Sequence, residues 1–231
     1  MKRIYLFFLF CSVALASVTA TVTDVNGTTV RVDPVSGLKN GESAFVMRTF
    51  DADHGSVVAQ CRVSDAATGT LTCKPFDYLY HESLSLAKDG VKKGDRVFIG
   101  LLEGSISIIA PDQKSYLAVK SLYPDTIIFH PDLLAVSLKY DDNPMPDKAT
   151  FMNYCKENFI GLLAFVLNDG IYEVDCLSFN VVGKKEGSYS DKDNDKPFYH
   201  RVGEIERGFF DFSDDEVTDF TAYYKKMIGV K

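Results

Sequence analysis

The chain has 231 residues, of which 46% are hydrophobic, and it carries a formal net charge of −7. This length allows one large domain or two small ones, and the hydrophobic fraction is typical of a packed globular protein rather than a disordered chain. An acidic chain without a stripe of basic residues is poorly suited to neutralising phosphates, so the composition excludes nucleic acid as an expected partner.

Residues 1–16 have the three parts of a secretory signal peptide. Lys2-Arg3 forms a basic start, an apolar run follows, and Ala14-Leu15-Ala16 supplies the small residues that a signal peptidase requires. The apolar run is shorter than the roughly 20 residues of a permanent membrane helix. We therefore expect cleavage before Ser17, with cleavage after Ala20 as an alternative, and no integral membrane segment in the mature chain. An uncleaved anchor and a buried strand are the other interpretations.

Export places the four cysteines that follow the signal in an oxidising compartment, where disulfides are the default. We expect Cys61 to pair with Cys73 and Cys155 with Cys176, because each pair encloses one local reversal of the chain; four cysteines formally allow three connectivities. Their spacing lacks the pattern of a zinc site, and a paired sulfur is not a nucleophile. We therefore expect no metal site and no cofactor.

Residues 17–104 consist of short strand-like runs separated by turn residues. This pattern predicts a small β-barrel or a sandwich-like module. A first hairpin is expected around Asn26-Gly27, the residue pair that suits a type I′ turn. Further strands are predicted at residues 43–50, 56–63, 70–75 and 96–101.

Residues 105–183 alternate between strand and helix patterns and predict a mixed α/β subdomain. With the preceding module and a C-terminal helix, the fold class is α+β, and residues 17–183 as a single domain are the alternative division. Asp147 is placed to cap one of the helices. Strands are predicted at residues 106–110, 126–129, 161–167 and 171–182, and helices at residues 113–123, 132–140 and 148–158.

Residues 184–196 predict a charged loop, and residues 197–231 a C-terminal strand and helix. The strand is expected at residues 202–205, and the helix is expected to run from a capping box at residues 213–216 to about Ile228. Within the loop, acidic residues occupy the first, third and fifth positions of a calcium-binding loop. Lys196 stands where that motif needs glycine, so we expect a solvated loop instead.

His130 is the strongest candidate for catalysis, because it lies where a predicted strand meets a predicted helix. It would need Asp132, Asp175 or another acid close by, and no nucleophile accompanies it to form a triad. Phosphate-binding loops and the hydrolase nucleophile motif are also missing from the sequence. We therefore predict no catalytic residue and treat an enzyme as the third interpretation.

Lys231 is the last residue of the sequence and presents an α-carboxylate and an ε-ammonium together. Such a pair of charges, joined by an apolar stem, suits a pocket with complementary charges across an aromatic surface. Lysine is a common residue, so a chance terminal lysine is the alternative interpretation.

Five short motifs follow one another between Ala20 and Val182. Their order and spacing resemble the N-terminal domain of bacterial plasminogen-binding proteins, a family of exported proteins from Helicobacter-like and Campylobacter-like bacteria. The resemblance implies a surface-associated protein that captures host plasminogen, whose kringle modules bind C-terminal lysines, and it carries that role onto Lys231. Longer relatives continue in a lysine-rich extension that this sequence lacks. The motifs are residues 108–112, 129–133, 151–155, 161–163 and 174–179.

The leading interpretation is therefore an exported, non-enzymatic binding protein that captures host plasminogen through Lys231. It would lie in the periplasm or on the outer-membrane-associated cell surface, with a protein as its partner. The alternative is a periplasmic structural or assembly factor of the cell envelope, in which the N-terminal module and a groove on the α/β part bind another envelope protein.

Overall fold

The computed structural model describes residues 18–76, 90–189, 196–206 and 217–230. The predicted signal peptide lies outside the described residues. Six strands form a closed barrel in the order β1-β2-β5-β4-β3-β6, which confirms the predicted barrel. The strands are β1 (Val18–Asn26), β2 (Thr29–Val32), β3 (Ser43–Thr49), β4 (Gly55–Asp65), β5 (Thr70–Pro75) and β6 (Arg96–Ile99).

The interior of the barrel is filled by small branched side chains at alternating strand positions. Val22, Val30, Val46, Leu71 and Ile99 are all buried there, because side chains along a strand point alternately to the two faces. Closure leaves the barrel without an exposed strand edge, which is the weak point of an open sheet.

The first hairpin forms at the expected place, but its turn differs from the predicted type I′. Asn26 pairs with Thr29 in the ladder, so the two loop residues are Gly27 and Thr28. Of these only Gly27 has a positive φ, of 61°, which is the arrangement of a type II′ turn with glycine in the first central position. Asn26 therefore belongs to the strand.

A second sheet has the order β11-β10-β9-β7-β8. Strand β7 runs parallel to its two neighbours β8 and β9, whereas β10 is antiparallel to both β9 and β11. This mixed sheet with a separate barrel confirms the α+β class. The strands are β7 (Ser105–Ile109), β8 (Ile127–Phe129), β9 (Leu162–Leu167), β10 (Gly170–Asp175) and β11 (Val181–Glu186).

Helices cover both faces of the second sheet. Tyr116 and Val119 of the first helix pack on one face, and Leu134, Phe151 and Tyr224 of the other three pack on the opposite face. The predicted bounds of the second and third helices are confirmed, and the first ends three residues earlier than predicted. The helices are α1 (Gln113–Lys120), α2 (Asp132–Tyr140), α3 (Lys148–Asn158) and α4 (Phe220–Ile228).

The predicted strand at residues 171–182 is wrong in one respect, because a turn divides it into β10 and β11. The Asp175 carboxylate accepts hydrogen bonds from the backbone N–H groups of Leu177 (3.1 Å) and Ser178 (2.7 Å). Such side-chain to backbone bonds compete with a continuous strand and favour a turn. The strand then resumes and runs to Glu186, so the first residues of the predicted charged loop are part of β11.

Two predictions for the C-terminal part also need correction. Residues 202–205 form no strand; instead the Lys139 ammonium of α2 donates to the Glu204 carbonyl at 3.0 Å, which ties this segment to a helix. The last helix begins at Phe220, and its cap is Asp219, which accepts from the Ala222 N–H. The predicted capping box at residues 213–216 lies outside the described residues.

Direct hydrogen bonds join the barrel to the second sheet. Both the N–H and the hydroxyl of Ser43 donate to the Asp175 carboxylate, at 3.0 and 2.7 Å. The Ser178 hydroxyl donates to the Gly41 carbonyl next to it. These bonds connect the start of β3 with the turn between β10 and β11, so the barrel and the sheet share a polar joint.

A buried pair of carboxyl groups lies beside this joint. Glu42 and Glu103 are hydrogen bonded to each other, and burial, together with the nearby charge of Glu103, raises the pKa of Glu42 to about 7. Among the described residues, the buried Glu103 Oε1 has no hydrogen-bond donor unless Glu42 is protonated. The Lys39 ammonium lies 3.3 Å from the other oxygen of Glu103. Below about pH 7, a protonated Glu42 supplies this donor.

The carboxyl pair makes the stability of the protein depend on pH. Because folding raises the pKa of Glu42 from 4.5 to about 7, the contribution is complete below pH 4.5 and is lost as the pH rises through 7. We expect the free energy of unfolding to fall by on the order of 2–3 kcal/mol between about pH 5 and about pH 8. Urea unfolding at both pH values measures this change.

Glu42→Gln should remove most of that pH dependence, because the Gln amide donates to Glu103 at either pH. Glu157→Gln at an exposed position is the matched control, and its free energy of unfolding should change with pH as that of the wild type does. If the free energy of unfolding of Glu42→Gln also changed with pH as in the wild type, Glu42 would not be the group responsible.

Candidate functional site

The carboxyl ends of the parallel strands β7, β8 and β9 lie at one edge of the second sheet. In open α/β sheets a ligand usually binds at this edge, where the strand order reverses. Here the order reverses between β7 and β9. The cavity at that point is lined by Ala110, Leu167, Pro197 and Tyr224 and measures only about 10 Å³, which is room for at most one water molecule.

The segment that fills this edge comes from the C-terminal part of the chain. Tyr199 N–H donates to the Ala110 carbonyl at 2.7 Å, and the Tyr224 hydroxyl donates to the Pro197 carbonyl at 2.6 Å. Phe198 between them is fully buried. The usual ligand site of such a sheet is therefore occupied by the protein itself.

His130 directly follows β8 and lies close to Asp132 as expected. Its Nδ1 is 3.1 Å from the backbone nitrogen of Asp132 and 3.2 Å from Asp132 Oδ1. A neutral ring with its proton on Nε2 accepts from the Asp132 N–H, whereas a ring with its proton on Nδ1 donates to the Asp132 carboxylate, as the histidine of a catalytic triad does. Burial lowers the pKa of His130, which favours a neutral ring, and Arg201 binds the Asp132 carboxylate at 2.7 Å.

Asp175, the second acid considered for His130, is at the opposite edge of the sheet. It pairs in register with Leu162 at the start of β9 and is bonded to Ser43 of the barrel. The structure therefore brings His130 together with Asp132 and separates it from Asp175. Both acids serve structural hydrogen bonds.

The four predicted disulfide cysteines form two bonds in the structure, Cys61–Cys73 and Cys155–Cys176. Cys61 and Cys73 are directly opposite each other on β4 and β5. Cys155 lies in α3, and Cys176 follows the end of β10. The first bond fastens two barrel strands, and the second fastens a helix to the second sheet.

The C-terminal helix α4 is held against the second sheet by aromatic packing. Phe220, Tyr224 and Ile228 are its buried residues. The Tyr224 ring lies 5.2 Å from the Phe165 ring and 6.0 Å from the Phe151 ring, distances typical of favourable aromatic pairs. This packing positions the end of the helix.

A hydrogen-bonded glycine turn ends α4. Gly229 has a left-handed φ of 75°, and the Val230 N–H donates to the Lys225 carbonyl at 2.9 Å. This is the Schellman arrangement, in which glycine closes the last helical turn. Lys231, the predicted ligand-binding residue, follows directly but lies outside the described residues.

Two lysines near α4 are engaged with one acid. Asp169 has the Lys225 ammonium at 3.0 Å and the Lys184 ammonium at 3.3 Å, and it accepts from the Tyr172 hydroxyl at 2.6 Å. The hydrogen bond from Tyr172 and the two lysines lower the pKa of Asp169. No local sequence pattern predicts this cluster, because its members come from three separate segments.

No metal site is present within residues 18–76, 90–189, 196–206 and 217–230, since no three histidine, cysteine or acidic side chains group as ligands there. The calcium-like positions 191, 193 and 195 fall outside those ranges. In the same ranges, none of the helices combines the length and the apolar character needed to span a membrane.

The chain matches a known family over nearly its whole length. The family described as "Plasminogen-binding protein pgbA N-terminal" matches residues 17–228. Plasminogen-binding protein PgbA of Helicobacter pylori strain J99 / ATCC 700824 is 26% identical over 200 residues, covering 84% of this chain and 44% of that protein. PgbA of strain ATCC 700392 / 26695 is 24% identical over 200 residues, covering 84% of this chain and 43% of that protein. The chain thus spans less than half the length of these relatives. No solved structure matches it significantly.

Substitutions of Tyr224 test whether its contacts at the covered edge of the sheet stabilise the fold. Tyr224→Phe removes the hydroxyl that donates to Pro197 and leaves a partly buried carbonyl without its donor, so we expect a loss of about 1–3 kcal/mol in the free energy of unfolding. Tyr224→Ala also empties the aromatic cluster and should cost about 3–5 kcal/mol. Urea unfolding measures both. Tyr140→Phe, at a position that is 89% exposed, is the control. If Tyr224→Phe lowered the free energy of unfolding no more than Tyr140→Phe does, the hydrogen bond to Pro197 would not stabilise the fold.

Proposed function

The chain belongs to the family of the plasminogen-binding protein pgbA N-terminal domain, and we propose that it is a non-enzymatic binding protein whose partner is plasminogen. The family match over residues 17–228 is the observation that carries this proposal. The structure supports it, because Pro197 and Tyr224 fill the edge where a sheet of this kind would hold a substrate.

We propose further that the protein is exported and reaches the cell surface. The two disulfides support a location outside the reducing cytosol, and the features of residues 1–16 support export through a cleaved signal peptide. Contact with plasminogen requires the surface rather than the periplasm. A periplasmic assembly factor remains the competing function, and protease treatment of intact cells separates the two, since only a surface protein would be digested.

The proposed contact is Lys231. In sequence it comes two residues after Gly229, which ends a helix that is packed on the sheet through Phe220 and Tyr224. Lys184 and Lys225, in contrast, are already engaged with Asp169, which makes them poorer ligands for a lysine-binding pocket.

Deletion of Lys231 should weaken plasminogen binding at least tenfold, a loss of about 1.4 kcal/mol or more. The measurement is surface plasmon resonance with immobilised plasminogen and the purified chain ending at Lys231. The lysine analogue 6-aminohexanoic acid should compete with the intact chain, because it carries the same two charges.

Lys226→Ala is the matched control, since Lys226 is exposed in the same helix, and it should bind like the wild type. Undiminished binding after deletion of Lys231, without competition by the analogue, would refute the lysine mechanism. Loss of binding in the Lys226 variant instead would place the contact within α4.

A further inference from the structure

The edge of the second sheet where β7 begins carries an unusual group of exposed apolar side chains. Leu101, Leu122, Ile127 and Phe159 are 51%, 49%, 68% and 74% exposed, and we call these four residues the apolar edge. Two of them adjoin Ser105: Ile127 is its register partner on β8, and the Phe159 carbonyl accepts from its hydroxyl at 3.0 Å. Contiguous exposed apolar groups mark interaction surfaces.

Phe159 protrudes from this edge at an energetic cost to the fold. It caps α3 in the left-handed conformation, with a φ of 54°, a position that glycine or asparagine occupies with much less strain. Its side chain gains little from burial, since it is 74% exposed. A bulky exposed residue under backbone strain indicates a role in recognition.

A cavity of about 440 Å³ opens at the same edge. Leu122, Pro124 and Leu162 contribute apolar walls, and Gly104, next to Ser105, also lines it. This volume is within the range of pockets that hold small organic ligands, so it accommodates a phenyl ring. Three of the four ionic groups on its walls are paired, because Lys185 pairs with Glu173 and Lys39 with Glu103, and the fourth is the exposed Asp125.

The charges around the apolar edge are balanced. Lys120 and Lys156 lie in the last turns of α1 and α3, and the exposed acids Asp125 and Glu157 follow or adjoin them in sequence. The whole chain has a net charge of −7, so two copies repel each other in most orientations. This neutral face is a place where they can approach.

We propose that the apolar edge binds a second copy of this chain in a two-fold symmetric dimer, with Phe159 of each copy entering the cavity of the other. A two-fold interface uses the same surface on both subunits, so that surface must contain both the protruding group and its receptor. Here the Phe159 carbonyl is bonded to Ser105, and the cavity is lined by Gly104, the residue before it. The balanced charges around them allow each acid to face a lysine of the other copy.

Phe159→Asn tests the protruding group. Asparagine suits the left-handed position, so the variant should raise the melting temperature of the dilute, monomeric protein while weakening dimerisation at least tenfold. Sedimentation equilibrium of the purified protein measures the dimer affinity. Phe50→Asn is the matched control, because Phe50 is 59% exposed on the barrel and should leave the dimer unchanged.

A mixing experiment tests the symmetry. Phe159→Lys and Leu122→Glu each place a charge in the interface, so each variant alone should dimerise at least tenfold more weakly. In the mixture, one contact pairs the new lysine with the new glutamate and the other keeps Phe159 against Leu122. The mixed dimer should therefore form more tightly than either variant alone.

Three outcomes would overturn the proposal. The first is a wild-type protein that stays monomeric at the highest soluble concentration. The second is a dimer that Phe159→Asn and Phe50→Asn weaken equally. The third is a mixture of Phe159→Lys and Leu122→Glu that dimerises no better than its components.

Discussion

The carboxylate of Asp175 connects the two halves of the molecule. One of its oxygens accepts from the N–H and the hydroxyl of Ser43 in the barrel, and the other accepts from the N–H groups of Leu177 and Ser178. A buried carboxylate is tolerated when several donors satisfy it. These bonds fix the turn that ends β10, hold Cys176 beside α3 for its disulfide, and set the start of β11. The start of β3, the position of Cys176 and the start of β11 thus share one buried carboxyl group.

Features with a local cause could be predicted from the sequence. The bounds of α3 follow from Asp147, whose carboxylate accepts from the Thr150 N–H and hydroxyl, so the signal lies within a few residues. The break in the predicted strand at residues 171–182 also has a local cause, the bonds that Leu177 and Ser178 donate to Asp175, whereas the bond from Ser43, 132 residues away in sequence, could not be predicted. The same limit applies to the carboxyl pair of Glu42 and Glu103, whose shared proton depends on burial that no local pattern reports.

Charge patterns misled the prediction of a loop after residue 183. Lys184 and Lys185 read as solvated residues, but each pairs with an acid on the neighbouring hairpin, Asp169 and Glu173 respectively. On β11 such lysines keep a strand soluble while it pairs on one side. Of the candidate site, only Lys231 itself could be proposed from the sequence. The contacts of Tyr224 and Lys225 that anchor α4 could be seen only in the tertiary structure.

The two proposals reinforce each other physically if both hold. A single lysine contact with one pocket is weak, because one charged side chain buries little surface. A two-fold dimer built on the apolar edge would present two copies of Lys231 on one particle, and a second contact would then form at a high effective concentration. The gain would come from geometry, without any new residue at the contact. A binding protein whose usual ligand cleft is filled would in this way bind tightly through the two weak contacts of its dimer.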